Sequence, residues 1–277
     1  MPNPNPRRQR EARAKLRQAI EQGANAFLIH YACQKLTSCV TPRIVSIAVR
    51  NLLDGETITF SIHQEAEAAG RTGPLGEAVL DRLELSLLGK LSAFFGMHQR
   101  SLFLHWNMKD DVYGFAVIER RLSQLSGSKA TLPVHRSQKI NLAALMALIY
   151  GDDYAPRPHF ESLAELNGFD LEGYLPGASE PEAFARGDYK AVMMSNIRKV
   201  ALMAEIARCA CDGSLRTTKN AWQLNAGKVR EAYESILENP VYGIGIAMAT
   251  VGTTAFKVVS WIMERGGPSP LGGLGEA

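Results

Sequence analysis

The sequence predicts an α/β fold, with a mixed β-sheet flanked by helices and followed by a C-terminal helical extension. Three observations predict it. Ala26–Cys33 (AFLIHYAC) is a compact apolar run of strand length. Residues 43–52 and 56–63 alternate in period two on either side of Asp54-Gly55, a hairpin signal, so the second and third strands form an antiparallel pair with the first beside them. A further apolar run at Leu102, Phe103 and Leu104 then interrupts a chain that otherwise carries helical spacing, and it ends in a knot of polar residues.

The remaining elements follow in order. Pro2, Pro4 and Pro6 make residues 1–7 a disordered lead, and residues 8–22 form a charged helix that Gly23 ends; together 1–25 are a basic lead and helix. Residues 64–71 hold one or two helical turns. Residues 77–95 place Val79, Leu80, Leu83, Leu87, Leu88, Leu91 and Phe94 on one helical face. After the fourth strand, Phe115, Ile118 and Leu122 mark a helix over 112–125. Residues 126–138 are a loop, and residues 140–150 (INLAALMALIY) are a helix apolar nearly all round. Short helices are expected over 160–167 and 180–187. A long one covers 190–211 and stops at Asp212-Gly213.

Beyond residue 215 the character changes. Residues 216–240 read as a linker with a polar helix over 228–238. Residues 241–263, from Val241 to Met263, hold a single charge, Lys257, and the small residues Gly243, Gly245, Ala249 and Gly252. That length suits a bilayer and that composition suits close helix packing, so the segment is a candidate transmembrane anchor. A buried helix or an oligomerisation segment is the competing reading. Residues 264–277 are Gly/Pro-rich and expected to be disordered.

Charge and cysteine usage narrow the function classes. The net charge of +3 is too small to argue for an anionic partner by itself. Its distribution is more specific: Arg7, Arg8, Arg10, Arg13, Lys15 and Arg17 crowd one short stretch that suits phosphate or anionic lipid, although a solvated basic helix is the simpler reading. Four cysteines in 277 residues make no disulfide framework, and Cys209-Ala-Cys211 is one residue short of zinc spacing. A reduced, cytoplasmic setting is expected, with the 241–263 segment as a membrane tether. The opening MPNPNPRRQR has no apolar run behind it and is not expected to be a secretory signal.

Four stretches, in order across about 26–211, carry a resemblance. FLIHYAC at 27–33 is similar to an opening strand that ends in D-x-E, with Tyr31 and Cys33 at the acids. HWNMKDD at 105–111 is similar to the H-N-x-x-[F]-D segment that follows a fourth strand, with Asn107 at the Asn and Asp111, or Asp110 one residue earlier, at the Asp. KINLAAL at 139–145 resembles a buried helix opening at an Asp, where Asn141 stands. SNIRKVALMAEI at 195–206 resembles Y-N-x-x-D-V, with Ser195 at the Tyr, Asn196 and Val200 matching, and Lys199 at the Asp. The chain thus resembles the DEDD-type 3′–5′ exonucleases of the RNase H-like superfamily, with a degenerate site over a domain at 26–215.

The resemblance implies an RNase H-like sheet and a nucleic-acid partner. It also implies two Mg²⁺ or Mn²⁺ ions, which need several carboxylates, about 3.5–4 Å apart, around them. Tyr31, Cys33, Asn141 and Lys199 offer none, and a Lys at a metal position repels the ion. The expectation is therefore a pseudoenzyme with no cofactor, a binding or regulatory module for nucleic acid or a protein partner. Arg7, Arg8, Arg10 and Trp106 are its candidate nucleic-acid contacts. One alternative is an active nuclease with a site rebuilt around Asp110, Asp111, His105 and Asn107, which alone would call for Mg²⁺ or Mn²⁺. Another is a membrane or assembly protein whose tail carries the function. His30, His63 and His105, near the ends of neighbouring strands, raise a transition-metal cluster as a minor reading.

Overall fold

The computed structural model of the chain describes residues 5–34, 41–71, 73–108 and 112–218. Asp110, Asp111 and Cys39 lie outside the described residues, as do the linker from 219 onward, the 241–263 apolar run and the 264–277 tail. Among the described residues no helix is long and apolar enough to cross a membrane.

The described residues build an α/β unit around a mixed sheet of five strands, β1 (Ala26–Cys33), β2 (Ile44–Asn51), β3 (Thr57–Ser61), β4 (Leu102–His105) and β5 (Lys139–Asn141), ordered β3-β2-β1-β4-β5. β2 runs antiparallel to both β1 and β3; β1, β4 and β5 are mutually parallel. Gly55, at φ 77°, turns the β2–β3 hairpin where the sequence signals it.

Among the described residues eight α-helices accompany the sheet: α1 (Pro6–Glu21), α2 (Ile62–Ala68), α3 (Glu77–Met97), α4 (Phe115–Ser126), α5 (Leu142–Tyr150), α6 (His159–Leu166), α7 (Ser179–Ala185) and α8 (Tyr189–Asp212). Three expectations need correction. Helix α1 begins inside the expected disordered lead, because Asn5 accepts the Arg7 amide N–H at 3.0 Å and Pro6 opens the first turn. Ala12, Leu16 and Ala19 are then buried, and α1 packs on α5 and α8 as part of the same unit. Strand β3 is shorter than its alternation implies, because Ser61 Oγ accepts the Gln64 N–H at 3.2 Å and caps α2, which puts His63 on a helix. Finally, Lys139, Ile140 and Asn141 form a fifth strand where the sequence suggests loop and helix.

Side-chain alternation divides the sheet into two faces. Phe27, Ile29, Tyr31 and Cys33 of β1 join Ile47, Val49, Phe60 and Phe103 in a core closed by α3 and α4, through residues such as Leu87, Leu91, Phe95 and Ile118. Leu28 and His30 point the other way, with Ala48 and Leu104 opposite them in register, towards α8, which packs across β1, β2 and β3. One charge cluster, buried at Arg43 and Glu84 and open to solvent at Glu77 and Asp81, pins the first of these layers. Arg43 pairs with Glu77, Asp81 and Glu84; Arg121 of α4 pairs with Asp81 and Glu84. Glu84 also accepts the Ile44 N–H at 2.7 Å, which ties the start of β2 to α3. Burial pushes the Glu84 carboxyl up despite both arginines, whereas at Asp81 the arginines outweigh burial and hold it low.

Candidate functional site

β1 is where the strand order reverses, with β2 on one side and β4 on the other. In open α/β sheets the crevice at the carboxyl end of such a strand is the common ligand site. The residues gathered there come from β1, the β4 and β5 ends, the approach to α4, and α8.

His30 is the hub. It lies in the central strand yet is half-buried, not sealed, while the rest of β1 is buried. Its Nδ1 is 3.0 Å from Asn196 Oδ1, and Asn196 Nδ2 donates to the Ser46 carbonyl at 2.7 Å, which fixes which way the amide faces. Two acceptors cannot bond, so the proton of a neutral His30 belongs on Nδ1 and Nε2 is an acceptor. The Tyr113 hydroxyl lies 3.1 Å from Nε2 and 2.9 Å from the Tyr31 carbonyl. One hydroxyl proton therefore faces two acceptors. An imidazolium would satisfy all three contacts at once. Burial opposes it first and the nearby Lys199 charge second, and together they hold His30 down to about 3 despite the Asn196 bond. Among the described residues the buried Ser46 hydroxyl, on the same face, has no hydrogen-bond partner. This layer is thus polar with spare hydrogen-bonding capacity.

The next turn of α8 carries a buried ion pair. Lys199 (4% exposed) is engaged by Glu180 of α7, and Ser195 Oγ lies 3.2 Å from the same carboxylate while accepting the Leu175 N–H at 3.0 Å. The Lys199 ammonium also sits 5.3 Å from the Tyr174 ring centre. Burial pushes Glu180 up, partly offset by Lys199. The carboxylate partner of Lys199 is therefore Glu180, which the sequence does not single out for this role.

Tyr31 and Cys33 sit on the opposite face from His30. Tyr31 is fully buried, its hydroxyl accepts the Gly114 N–H at 3.0 Å, and its ring stacks on Tyr113 with centroids 4.4 Å apart. Asn107 and Asn141 do come together: the Asn107 N–H donates to Asn141 Oδ1 at 3.2 Å, and Asn141 Nδ2 approaches Asn107 Oδ1 at 3.4 Å. Asn141 Oδ1 also caps α5 through the Ala144 N–H. Asn107 holds a left-handed backbone at φ 55°, a conformation that Asn tolerates better than most residues and one that recurs at functional sites. His105 is buried on the Tyr31 side, its Nδ1 accepts the Met108 N–H at 3.1 Å, and burial, helped by Lys139, lowers it to about 4. It thus faces away from His30, and His63 stands on α2, so the three histidines do not converge. Among the described residues no group of three or more His, Cys, Asp or Glu is placed to hold a metal ion.

Of the candidate nucleic-acid contacts, Arg7, Arg8 and Arg10 are exposed on α1, Arg7 pairing with Glu11 at 3.0 Å. Trp106 does not stand out as a stacking platform; it is buried and packs edge-on against Phe160 with centroids 5.0 Å apart. Tyr113 and Glu180 are absent from the residues that sequence reasoning singles out. Only the period-two alternation of β1 carries a hint, since it separates His30 from Tyr31 and so predicts different partners for the two.

Among the described residues the donor set does not fit a pair of Mg²⁺ or Mn²⁺ ions; Asp110 and Asp111 lie outside them. Tyr31, Cys33, Asn141 and a paired Lys199 supply no carboxylate, and Glu180 is already bound to an ammonium. No protein-family model matches the chain, and no curated protein matches it significantly. The described residues define an α/β protein with a helix-flanked mixed sheet and a neutral, largely buried polar cluster at its switch point.

Proposed function

We propose that the chain is a catalytically degenerate exonuclease-like domain of RNase H-like architecture that binds nucleic acid without cutting it. Its sheet order, β3-β2-β1-β4-β5 with β2 reversed, supports the RNase H-like reading. The observation that carries the loss of catalysis is the pairing of Lys199 with Glu180: the position that resembles an exonuclease Asp holds an ammonium already matched to a buried carboxylate. The exposed Arg7, Arg8 and Arg10 supply the phosphate-seeking surface. They crowd the first turns of α1, where cations oppose the helix dipole, so helix stability does not explain them.

The test is a titration of labelled single- and double-stranded DNA and RNA by fluorescence anisotropy, at two salt concentrations, with EDTA or with Mg²⁺ or Mn²⁺. The expected result is salt-dependent binding in EDTA, intact oligonucleotide with either metal, and loss of affinity in R7E/R8E/R10E. Metal-dependent degradation abolished by Asp111→Ala would overturn this reading in favour of a rebuilt nuclease site around Asp110 and Asp111. Absence of binding to all four nucleic acids would leave a protein partner as the better ligand.

A further inference from the structure

We propose that Arg50 and Arg208 form a phosphate-binding site at the β2–β3 hairpin, on the α8 side of the sheet. Arg50 stands near the end of β2, and its register with Leu28 and Thr57 puts its side chain on the face that α8 covers. Its Nη1 donates to Thr57 Oγ1 at 2.9 Å. Its Nη2 lies over Gly55, where a Cβ would come within 2.8 Å, so the hairpin glycine leaves the room that this guanidinium takes up. Arg208, exposed on α8, reaches the same hairpin: its Nη2 donates to the Leu52 carbonyl at 3.0 Å. Neutral oxygens thus hold both guanidiniums in place and leave most of their N–H groups for a ligand.

The charges of this pair point to an anion. Burial first and the Arg208 charge second lower the Arg50 guanidinium, and Glu205 and Asp54 offset them only in part. Among the described residues neither arginine makes an ion pair, and the carboxylates nearby are engaged elsewhere: Glu205 Oε1 lies 3.7 Å from Arg198 Nη1, and Asp54 Oδ1 accepts the Glu56 N–H at 2.8 Å. Arg50 Nε is buried and, among the described residues, has no hydrogen-bond partner. A guanidinium offers its N–H groups as a rigid fork that matches two oxygens. A carboxylate fills one such fork, whereas the tetrahedral oxygens of a phosphate can meet guanidiniums arriving from a strand and from a helix. The site stands apart from the carboxyl end of β1, since Arg50 pairs with Leu28 near that strand's beginning. A free phosphate and a phosphate of a nucleic-acid strand offer it the same chemistry, so it does not depend on nucleic acid being the ligand.

The experiment titrates inorganic phosphate into the full chain at constant ionic strength and follows it by phosphorus NMR line broadening, in the wild type, Arg50→Gln, Arg208→Gln, Arg208→Lys and Arg82→Gln. Arg82, exposed on α3, is the control for unspecific attraction to a cation. Arg208→Gln should bind about tenfold more weakly than the wild type, as for one lost charge-assisted contact, and Arg50→Gln should match it. Arg208→Lys should fall between, because lysine keeps the charge and loses the fork. Arg82→Gln should bind as the wild type does. Arg208 is exposed, so its variants keep the test valid even where Arg50→Gln fails to fold. No binding by the wild type, equal binding by Arg208→Gln, or an equal loss in Arg82→Gln overturns the site. A second arm measures oligonucleotide affinity by anisotropy and identifies the source of the phosphate. A matching loss in Arg208→Gln makes it a phosphate of the strand. Unchanged oligonucleotide affinity beside weakened phosphate binding makes it a free phosphate. Phosphate binding that depends on Arg208, in a chain that binds no oligonucleotide, would remove the nucleic-acid reading and leave the site standing.

Discussion

The two faces of the sheet are built from the same strands but on opposite principles. Towards α3 and α4, β1 presents Phe27, Ile29, Tyr31 and Cys33 to a continuous apolar core. Towards α8, the same strand presents His30, which meets Asn196, and the helix buries Ser195, Asn196 and Lys199 within two turns. An apolar α8 would fold as well or better, since replacing buried ion pairs by apolar groups is often neutral or stabilising. The contrast teaches that the first face holds the fold together, and that the second keeps polar chemistry at a cost that stability alone does not explain.

Truncation breaks the two faces in different ways, and this is where the largest effects lie. Phe95, fully buried between α3 and the sheet, loses about 3–5 kcal/mol on replacement by Ala. Lys199→Met is expected to cost a similar ~3–5 kcal/mol, because it strands the Glu180 carboxylate in the interior. The difference appears in the second mutation. Adding Glu180→Leu to Lys199→Met should recover most of the loss, since no unpaired charge remains, whereas a second truncation beside Phe95 only deepens the cavity. Urea unfolding of the four proteins of the Lys199/Glu180 cycle measures this; additive losses would show that the pair does not act as a unit.

Acid should separate the faces next. His30 is lowered to about 3 and His105 to about 4, both from the ordinary 6.5. The unfolded chain therefore binds more protons than the folded one below pH 6.5. Stability from keeping these rings neutral is complete above pH 6.5 and is lost as pH falls towards the folded values, at roughly 1.4 kcal/mol per pH unit for each histidine. Glu84 and Glu180, pushed up by burial, act in the opposite direction, so the informative quantity is the difference between the wild type and His30→Gln. Between pH 6 and 4.5 the variant should lose about one proton's worth of slope. An unchanged slope would mean that His30 is accessible enough to protonate in the folded state.

The apolar face was the more legible of the two in the sequence. Ala26–Cys33 is a strand over the residues its composition marks, and the Asp54-Gly55 hairpin joins β2 to β3 in the expected antiparallel sense. Such features are local, and composition and period report local preference. β5 escaped notice because three residues are too few to display a period and its last residue, Asn141, also caps the following helix. The polar face depends on contacts between distant residues. His30 and Tyr113 lie 83 positions apart, His30 and Asn196 lie 166, and the Glu180–Lys199 pair exists only because α7 packs on α8. Asn107 and Asn141 are both candidates in the sequence, but nothing local pairs them, and the left-handed backbone at Asn107 leaves no mark there, since Asn occurs in ordinary turns as readily.

Asn107 gives the smallest effect and the most discriminating one. At φ 55° the backbone is strained for any residue with a side chain, and Gly relieves that strain. Asn107→Gly keeps the backbone N–H that donates to Asn141 Oδ1 and loses only the long 3.4 Å contact between the two amides. The entropy of the more flexible unfolded chain opposes the gain, so stability should change by no more than about 0.5–1 kcal/mol, in the stabilising direction if strain prevails. A residue kept only to turn the chain would therefore be replaced by Gly without loss. If instead the exposed Asn107 amide contacts a ligand at the crevice, the same variant should fold at least as well and bind nucleic acid more weakly, by a factor of about ten for one lost hydrogen bond. Thermal unfolding and anisotropy on the same protein separate the two, and equal affinity in both proteins would confine Asn107 to the architecture of the β4–α4 connection.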